Sequence, residues 1–313
     1  MSLIRKPHQL ETSKTAIMLI YGQPGLGKST LGLSAPEPLL VDCDRGAQRI
    51  RPDHLSDTVQ VTKWQDVIDL LEQEDLSSYQ SLVFDTIGKA LDFMGDYIVA
   101  GDNRLGRKGG ALTLQGYGVR RTMFQAFVRQ VRAMGKTLIF IAHDKEEKEG
   151  DIKVIRPEIG GSSGGDLIKE LDLVGYIEAR GKERTISFDP CEKFYGKNTC
   201  NLDPVIKLTD LSKPGTPNTF LAQVCEKFAA AAVDRQRLAA EYLKLLAEID
   251  AKLALVTGPQ EANEFMTWAK AAQHLWDTKF QAASALKAKA KVLSLTWDAK
   301  AGAYEMKQEA ALA

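Results

Sequence analysis

The chain has 313 residues, room for one large α/β domain and a smaller appendage. Lys+Arg and Asp+Glu number 41 each, and 44% of residues are apolar; this is ordinary globular composition, and a basic surface for a polyanion must be local. Four cysteines (Cys43, Cys191, Cys200, Cys225) without a CxxC pair, and four histidines without ligand spacing, argue against a zinc site and for reduced thiols in a cytoplasmic protein. No apolar signal core opens the chain and no run of about 18 apolar residues occurs, so no membrane span is expected.

Residues 1–14 are polar and read as an arm. Residues 16–21 (AIMLIY) form an unbroken apolar run, the pattern of a strand buried on both faces. A Gly-rich segment follows at once, then a short helix that starts near Lys28 and must stop by Pro36. Strands are expected over 39–42, 58–61 and 81–85 (SLVFD), with helices over 64–72 and 87–99. Residues 100–116 hold several glycines with Arg104, Arg107 and Lys108 and read as a long mobile loop. A helix over 119–134 and a buried strand over 137–142 (TLIFIA) come next. A strand at 152–155, a second flexible loop at 160–165 (GGSSGG), and late antiparallel strands at 171–178 and 184–188 complete the pass. Residues 190–219 read as irregular.

Gly22-Gln-Pro-Gly-Leu-Gly27-Lys28-Ser29 fits the phosphate-loop pattern in full. Glycines let backbone N–H groups converge on phosphates, and the helix that follows turns its positive end toward the same anions. Gly22, Gln23, Pro24, Gly25, Leu26, Gly27, Lys28, Ser29 and Thr30 are therefore the expected ATP contacts. Lys28 reaches the β/γ-phosphates and the Ser29 hydroxyl ligates Mg2+. Asp85, ending a buried strand, is the expected acidic partner of the metal; its alternative is an N-cap for the next helix. Asp42 and Asp44 sit two apart, so an extended chain points both the same way. Asp44, nearer the loop, is the expected general base, or else a solvated carboxylate. His143 follows the strand over 137–142 and either senses the γ-phosphate or lies at the surface beside Asp144 and Lys145.

The order of these elements resembles the RecA-like recombinase core, and in particular the RecA-like single-strand annealing ATPases encoded by bacteriophages. The resemblance covers about residues 15–210. It implies an α/β RecA-like P-loop NTPase core with a mainly parallel central sheet flanked by helices. It implies ATP hydrolysis, DNA-stimulated and slow, in annealing or strand exchange, within a bacterial host cell. The catalytic carboxylate maps to Asp44, where family members usually carry Glu. The sensor maps to His143, where glutamine is common. The two DNA-binding loops map to Arg104, Arg107 and Lys108 and to Gly161, Ser162 and Ser163. A basic finger acting in trans within a homo-oligomer, ring or filament, maps to Arg184 or Lys197. Single-stranded DNA is the implied partner. Arg120, Arg121, Arg129 and Arg132 either extend the basic surface or are solvated helix charges. Tyr117 either stacks on a base or packs beneath the loop.

From about residue 219 the composition shifts to Ala, Lys, Leu and Glu. The expected organisation is an arm over 1–14, a core over 15–218 and a C-terminal α-helical module over 219–313. Helices over 219–256 and 260–313, broken at Gly258–Pro259, carry apolar stripes of an ordinary helical core. Lys279, Lys287, Lys289, Lys291 and Lys300 are either a solvated face or a contact for DNA, a neighbouring subunit, or a single-strand-binding or replication protein. Two other functions fit the same loop. A hexameric helicase or loader would unwind duplex with ATP turnover. A P-loop small-molecule kinase would use residues 100–116 as an Arg-bearing lid.

Overall fold

The computed structural model describes residues 5, 9–10, 12–150, 152–160 and 168–307. The chain divides into two compact units. One is Ser13–Ala232; the other comprises Val233–Ala313 with the described residues before Ser13.

The first unit is built on a sheet whose central strands are buried apolar runs, β1 (Ile17–Gly22), β4 (Ser81–Asp85) and the first half of β5 (Thr137–Glu149), with β2 (Pro38–Asp42) beside them and β3 (Thr58–Gln60) at the edge. Three antiparallel strands and one further parallel strand follow: β6 (Ile152–Pro157), β7 (Leu173–Arg180), β8 (Glu183–Ser187) and β9 (Ile206–Lys207). The order among the described residues is β3-β2-β4-β5-β1-β7-β8-β9, with β6 paired to the far half of β5. All pairs from β3 to β7 are parallel, and β6, β8 and β9 pair antiparallel. The fold is α/β with a mostly parallel central sheet flanked by helices.

Parallel strands need crossovers, and α1 (Lys28–Gly32), α2 (Trp64–Gln73), α3 (Ile87–Gly101) and α4 (Leu114–Ala133) supply them. On one face Phe84, Phe124, Phe127 and Phe140 pack ring to ring beneath Trp64. On the other, Met18, Ile20, Val83, Ile139 and Ile141 meet Leu31 and the first turns of α5 (Phe220–Ala254) through Leu221, Val224 and Phe228. Composition changes at about residue 219, whereas compaction divides at Ala232, inside α5. The first turns of that Ala-rich helix are part of the core.

In this unit three expectations change. Residues 102–113 form an ordered turn: a 3-10 helix Asn103–Leu105 leads into a Gly106–Leu112 bridge, and Arg107 N–H donates to Ala111 O at 2.8 Å. Leu112 is buried against Gly95 and Gly116, which anchors the turn. Helix α4 starts at Leu114, not 119, because the Thr113 side chain caps it at Gly116 N–H. Strand β5 does not end at residue 142 but runs on to Glu149.

The second unit holds the remainder of α5, then α6 (Pro259–Ala271) and α7 (Thr278–Val292), packed around Ile249, Phe265, Ala282 and Leu286. It is not helical to its end. Thr278 Oγ1 accepts from Leu275 N–H and contacts His274, closing a turn before α7. A hairpin follows α7, β10 (Leu295–Asp298) with β11 (Ala303–Met306). Its turn closes through Gly302 N–H donating to Asp298 O, with Gly302 at φ 64, a region that favours glycine.

Candidate functional site

Parallel register brings the ends of β1, β2 and β4 level with the middle of β5 and β7. Gly22 pairs with His143 and with Ile177, and Asp42 pairs with Asp85, which pairs with Ile141. Neighbouring strands lie about 4.8 Å apart, so the residues leaving these ends converge. The resulting cleft of about 360 Å³ is lined by Gly25, Gly27, Lys28, Ser29, Asp44 and Asp85, and also by Arg49, Thr86 and His143.

The loop after β1 is shaped by glycine at two points. At Gly22 (φ 155) a Cβ would come within 2.5 Å of Ile177 O on β7. Gly27 (φ 81) begins α1 in the left-handed region. Helix α1 has only five residues, so individual loop amides rather than a long helix dipole face the cleft. Gln23, Pro24 and Gly25 are exposed at the loop tip, while Leu26, Ser29 and Thr30 are half-buried.

Lys28 is buried, and its ammonium donates to Gly22 O at 2.7 Å and Gln23 O at 2.8 Å. Burial lowers its pKa, opposed by the negative charges of Asp144 and Asp85. Asp85 shows the mirror effect. Burial raises its pKa, a hydrogen bond from the Ser29 hydroxyl opposes this, and Asp44 and Asp42 raise it further. The N-cap of α3 is Thr86, so Asp85 is not the helix cap.

The pair Asp42 and Asp44 is resolved into two environments. The chain leaves the extended conformation after Asp42, and Arg45 adopts φ 58. Asp42 is buried and accepts from Gly46 N–H at 2.9 Å and Ala47 N–H at 3.0 Å, which fixes the turn. Asp44 lines the cleft, 31% exposed, with Arg49 Nη2 at 3.8 Å. The expectation that both carboxylates point the same way along an extended strand therefore fails at the bend.

His143 also lines the cleft, and its Nδ1 is buried without a hydrogen-bond partner among the described residues. It lies within β5, not at its end.

The remaining expected site residues are dispersed. Arg104 is clamped by Asp102, Nη2 to Oδ2 at 2.8 Å, and this pairing holds the Asp102 pKa down at about 2. Arg107 and Lys108 stand exposed at the tip of the turn. Gly161, Ser162 and Ser163 lie outside the described residues. Arg120 is buried, stacks on the Tyr117 ring at 4.8 Å and donates to Gly160 O; it is a structural residue, not part of a basic surface. Tyr117 accordingly packs within α4. Arg132 pairs with Asp172 at 3.1 Å. Lys197 Nζ donates to Lys169 O at 3.2 Å and to Leu171 O, so its amine is committed to its own chain. Arg184 reaches back to its own phosphate loop: its Nη1 lies 3.1 Å from where a Gly27 Cβ would be.

Sequence reasoning missed Arg49, Asp144 and the cis placement of Arg184. For Arg184 strand register is the signal: Ala179 pairs with Arg184, which puts β8 two strands from β1.

Mg2+ binds through one or two carboxylates, waters and substrate phosphates rather than through a protein cage. The site fits that demand. Ser29 and Asp85 present hard oxygens at the loop, and no cluster of three or more His, Cys, Asp or Glu suited to a metal occurs among the described residues. Among them, no helix is long and apolar enough to cross a membrane.

The family described as an AAA domain matches residues 14–200. No curated protein matches the chain.

Proposed function

The chain belongs to the AAA domain family and is a nucleotide-binding P-loop ATPase; from that premise, we propose that it couples ATP hydrolysis to single-stranded DNA in recombination, by annealing or strand exchange. The observation that carries this reading is the ordered turn over 102–113. It presents Arg107 and Lys108, both exposed, on a backbone joined to Asp85 by the single helix α3. Exposed cations on a Gly-containing turn neutralise phosphates without reading sequence.

In this mechanism Gly22 to Thr30 wrap the phosphates, and Lys28 exchanges its two loop carbonyls for phosphate oxygens. Ser29 and Asp85 would hold Mg2+, which would supply positive charge against the phosphates. Asp44 takes a proton from the attacking water. His143, which lines the cleft, senses the γ-phosphate. Arg184 supplies its positive charge to the loop in cis. ATP, Mg2+ and DNA thus meet a single chain, and the working form is a homo-oligomer, ring or filament, which electron microscopy with an ATP analogue distinguishes.

The deciding experiment is salt-dependent single-strand binding by the wild type and by Arg107→Ala/Lys108→Ala, with ATP turnover followed in parallel. A shallower salt dependence and lost DNA stimulation are expected. Unchanged single-strand affinity would remove the DNA assignment and leave the ATPase intact.

A further inference from the structure

The second unit carries a groove that nucleotide chemistry does not use and that lies outside residues 14–200. It has a volume of about 1090 Å³ and runs between α6, α7 and the β10–β11 hairpin. Its floor is apolar. Ala282, Leu286 and Ala290 follow one another at helical spacing on α7, with Phe265 from α6 and Leu295 from β10 beside them. Its rim is cationic: Lys270, Lys279, Lys287, Lys291 and Lys307 line it, all exposed, and no Asp or Glu does. Among the described residues none of these five has an ion-pair partner, although elsewhere in the same unit Arg237 engages both Asp234 and Glu241. Trp297 stands at one end, 47% exposed, edge-on to Tyr304 at 5.2 Å between ring centres.

We propose that this groove binds an acidic amphipathic peptide segment of a partner protein. Apolar side chains of the segment fill the floor, and its carboxylates meet the lysine rim. Charge complementarity selects the occupant: uncompensated ammonium groups around an apolar floor suit a ligand with carboxylates flanking apolar anchors. A single strand of nucleic acid fits less well: its bases stack on exposed aromatic rings, and of the aromatic residues that line the groove Phe265 is buried, Tyr304 is half-buried and Trp297 alone is exposed.

The test uses the full chain and a fluorescein-labelled peptide in which Asp and Glu alternate with Leu and Phe. A control peptide carries Asn and Gln at the acidic positions. Binding is followed by anisotropy. Two variants probe the two parts of the groove: Lys287→Glu/Lys291→Glu reverses the rim, and Ala283→Trp plugs the floor at an exposed position. Each variant, and the change to the control peptide, is expected to weaken binding about tenfold, with ATP turnover unchanged. Four results overturn the proposal. They are no binding by the wild type, equal binding of the control peptide, binding indifferent to both variants, and displacement of the peptide by oligo-dT whose own affinity falls with Ala283→Trp. A fifth is an Ala283→Trp chain that loses an oligomer the wild type forms, which would make a second copy the occupant.

Discussion

The nucleotide cleft and the lysine groove hold charge in opposite ways. In the cleft, Lys28 donates to two carbonyls, Asp42 accepts two amides, and Asp85 takes the Ser29 hydroxyl. In the groove, five lysines stand exposed without ion pairs among the described residues. Burial moves the cleft pKa values, and each buried group is positioned before a ligand arrives. The cleft is preorganised for one small polyanion, which is what electrostatic catalysis needs. The groove leaves its charges free to adapt to a ligand of variable shape.

The largest effects should come from removing a preorganised charge. Asp44→Ala and Lys28→Ala are each expected to lower ATP turnover about 100-fold or more. They should part in a binding assay with a fluorescent ATP analogue: Asp44→Ala keeps the nucleotide, Lys28→Ala loses it. Turnover left intact in Asp44→Ala would move the base elsewhere in the cleft.

Asp85 separates function from stability. Its folded pKa is raised above the unfolded value, so the fold favours its protonated form. The ionised carboxylate therefore costs stability at neutral pH, and that cost is relieved as pH falls through the raised pKa. Asp85→Asn should melt at a higher temperature than the wild type near pH 7, with a difference that shrinks toward acid, while Mg2+-dependent turnover is lost. For Lys28, lowered in the fold, the sign reverses: its cost is present below the folded pKa and disappears as pH rises through it. A lower melting temperature in Asp85→Asn would mean that the Ser29 hydrogen bond outweighs burial.

Gly22→Ala tests geometry without touching charge. The added methyl meets Ile177 O at 2.5 Å, a backbone atom that cannot rotate away. Overpacking of this kind costs about 1–3 kcal/mol, readable by denaturant melts. Gly25→Ala, which meets nothing within 4 Å, is a control for the positive φ alone.

The smallest effect contrasts two neighbours. Asp102 already neutralises Arg104, whereas Arg107 and Lys108 are at the tip. Arg104→Ala should change single-strand affinity less than Arg107→Ala, and the salt slope should fall by about one for each free cation removed. Equal losses would show that the Asp102 pairing opens on binding.

What was legible in the sequence follows from burial. β1, β4 and the first half of β5 are unbroken apolar runs, and a phosphate loop between a buried strand and a helix is a local pattern. Asp85 was legible for the same reason. The rest depends on distant parts of the chain. Nothing near Arg184 announces Gly27, and the bend that separates Asp42 from Asp44 is set by two amides four and five residues on. Glycines made 100–116 look loose, yet Leu112 buries and pins the turn. Alanine and lysine concealed β10 and β11, because a run that favours helix up to residue 292 gives no sign of the turn at Gly302.

Strand β5 is one piece from the sheet interior to the β5–β6 hairpin. His143 sits in it at the cleft, its carbonyl accepting from Glu158 N–H at 2.7 Å, and beyond it Lys145 to Lys148 lie in the same extended ribbon. An extended strand rises about 3.3 Å per residue and has no slack to take up. The cleft-lining imidazole and the charged β5–β6 hairpin therefore share one continuous length of paired backbone.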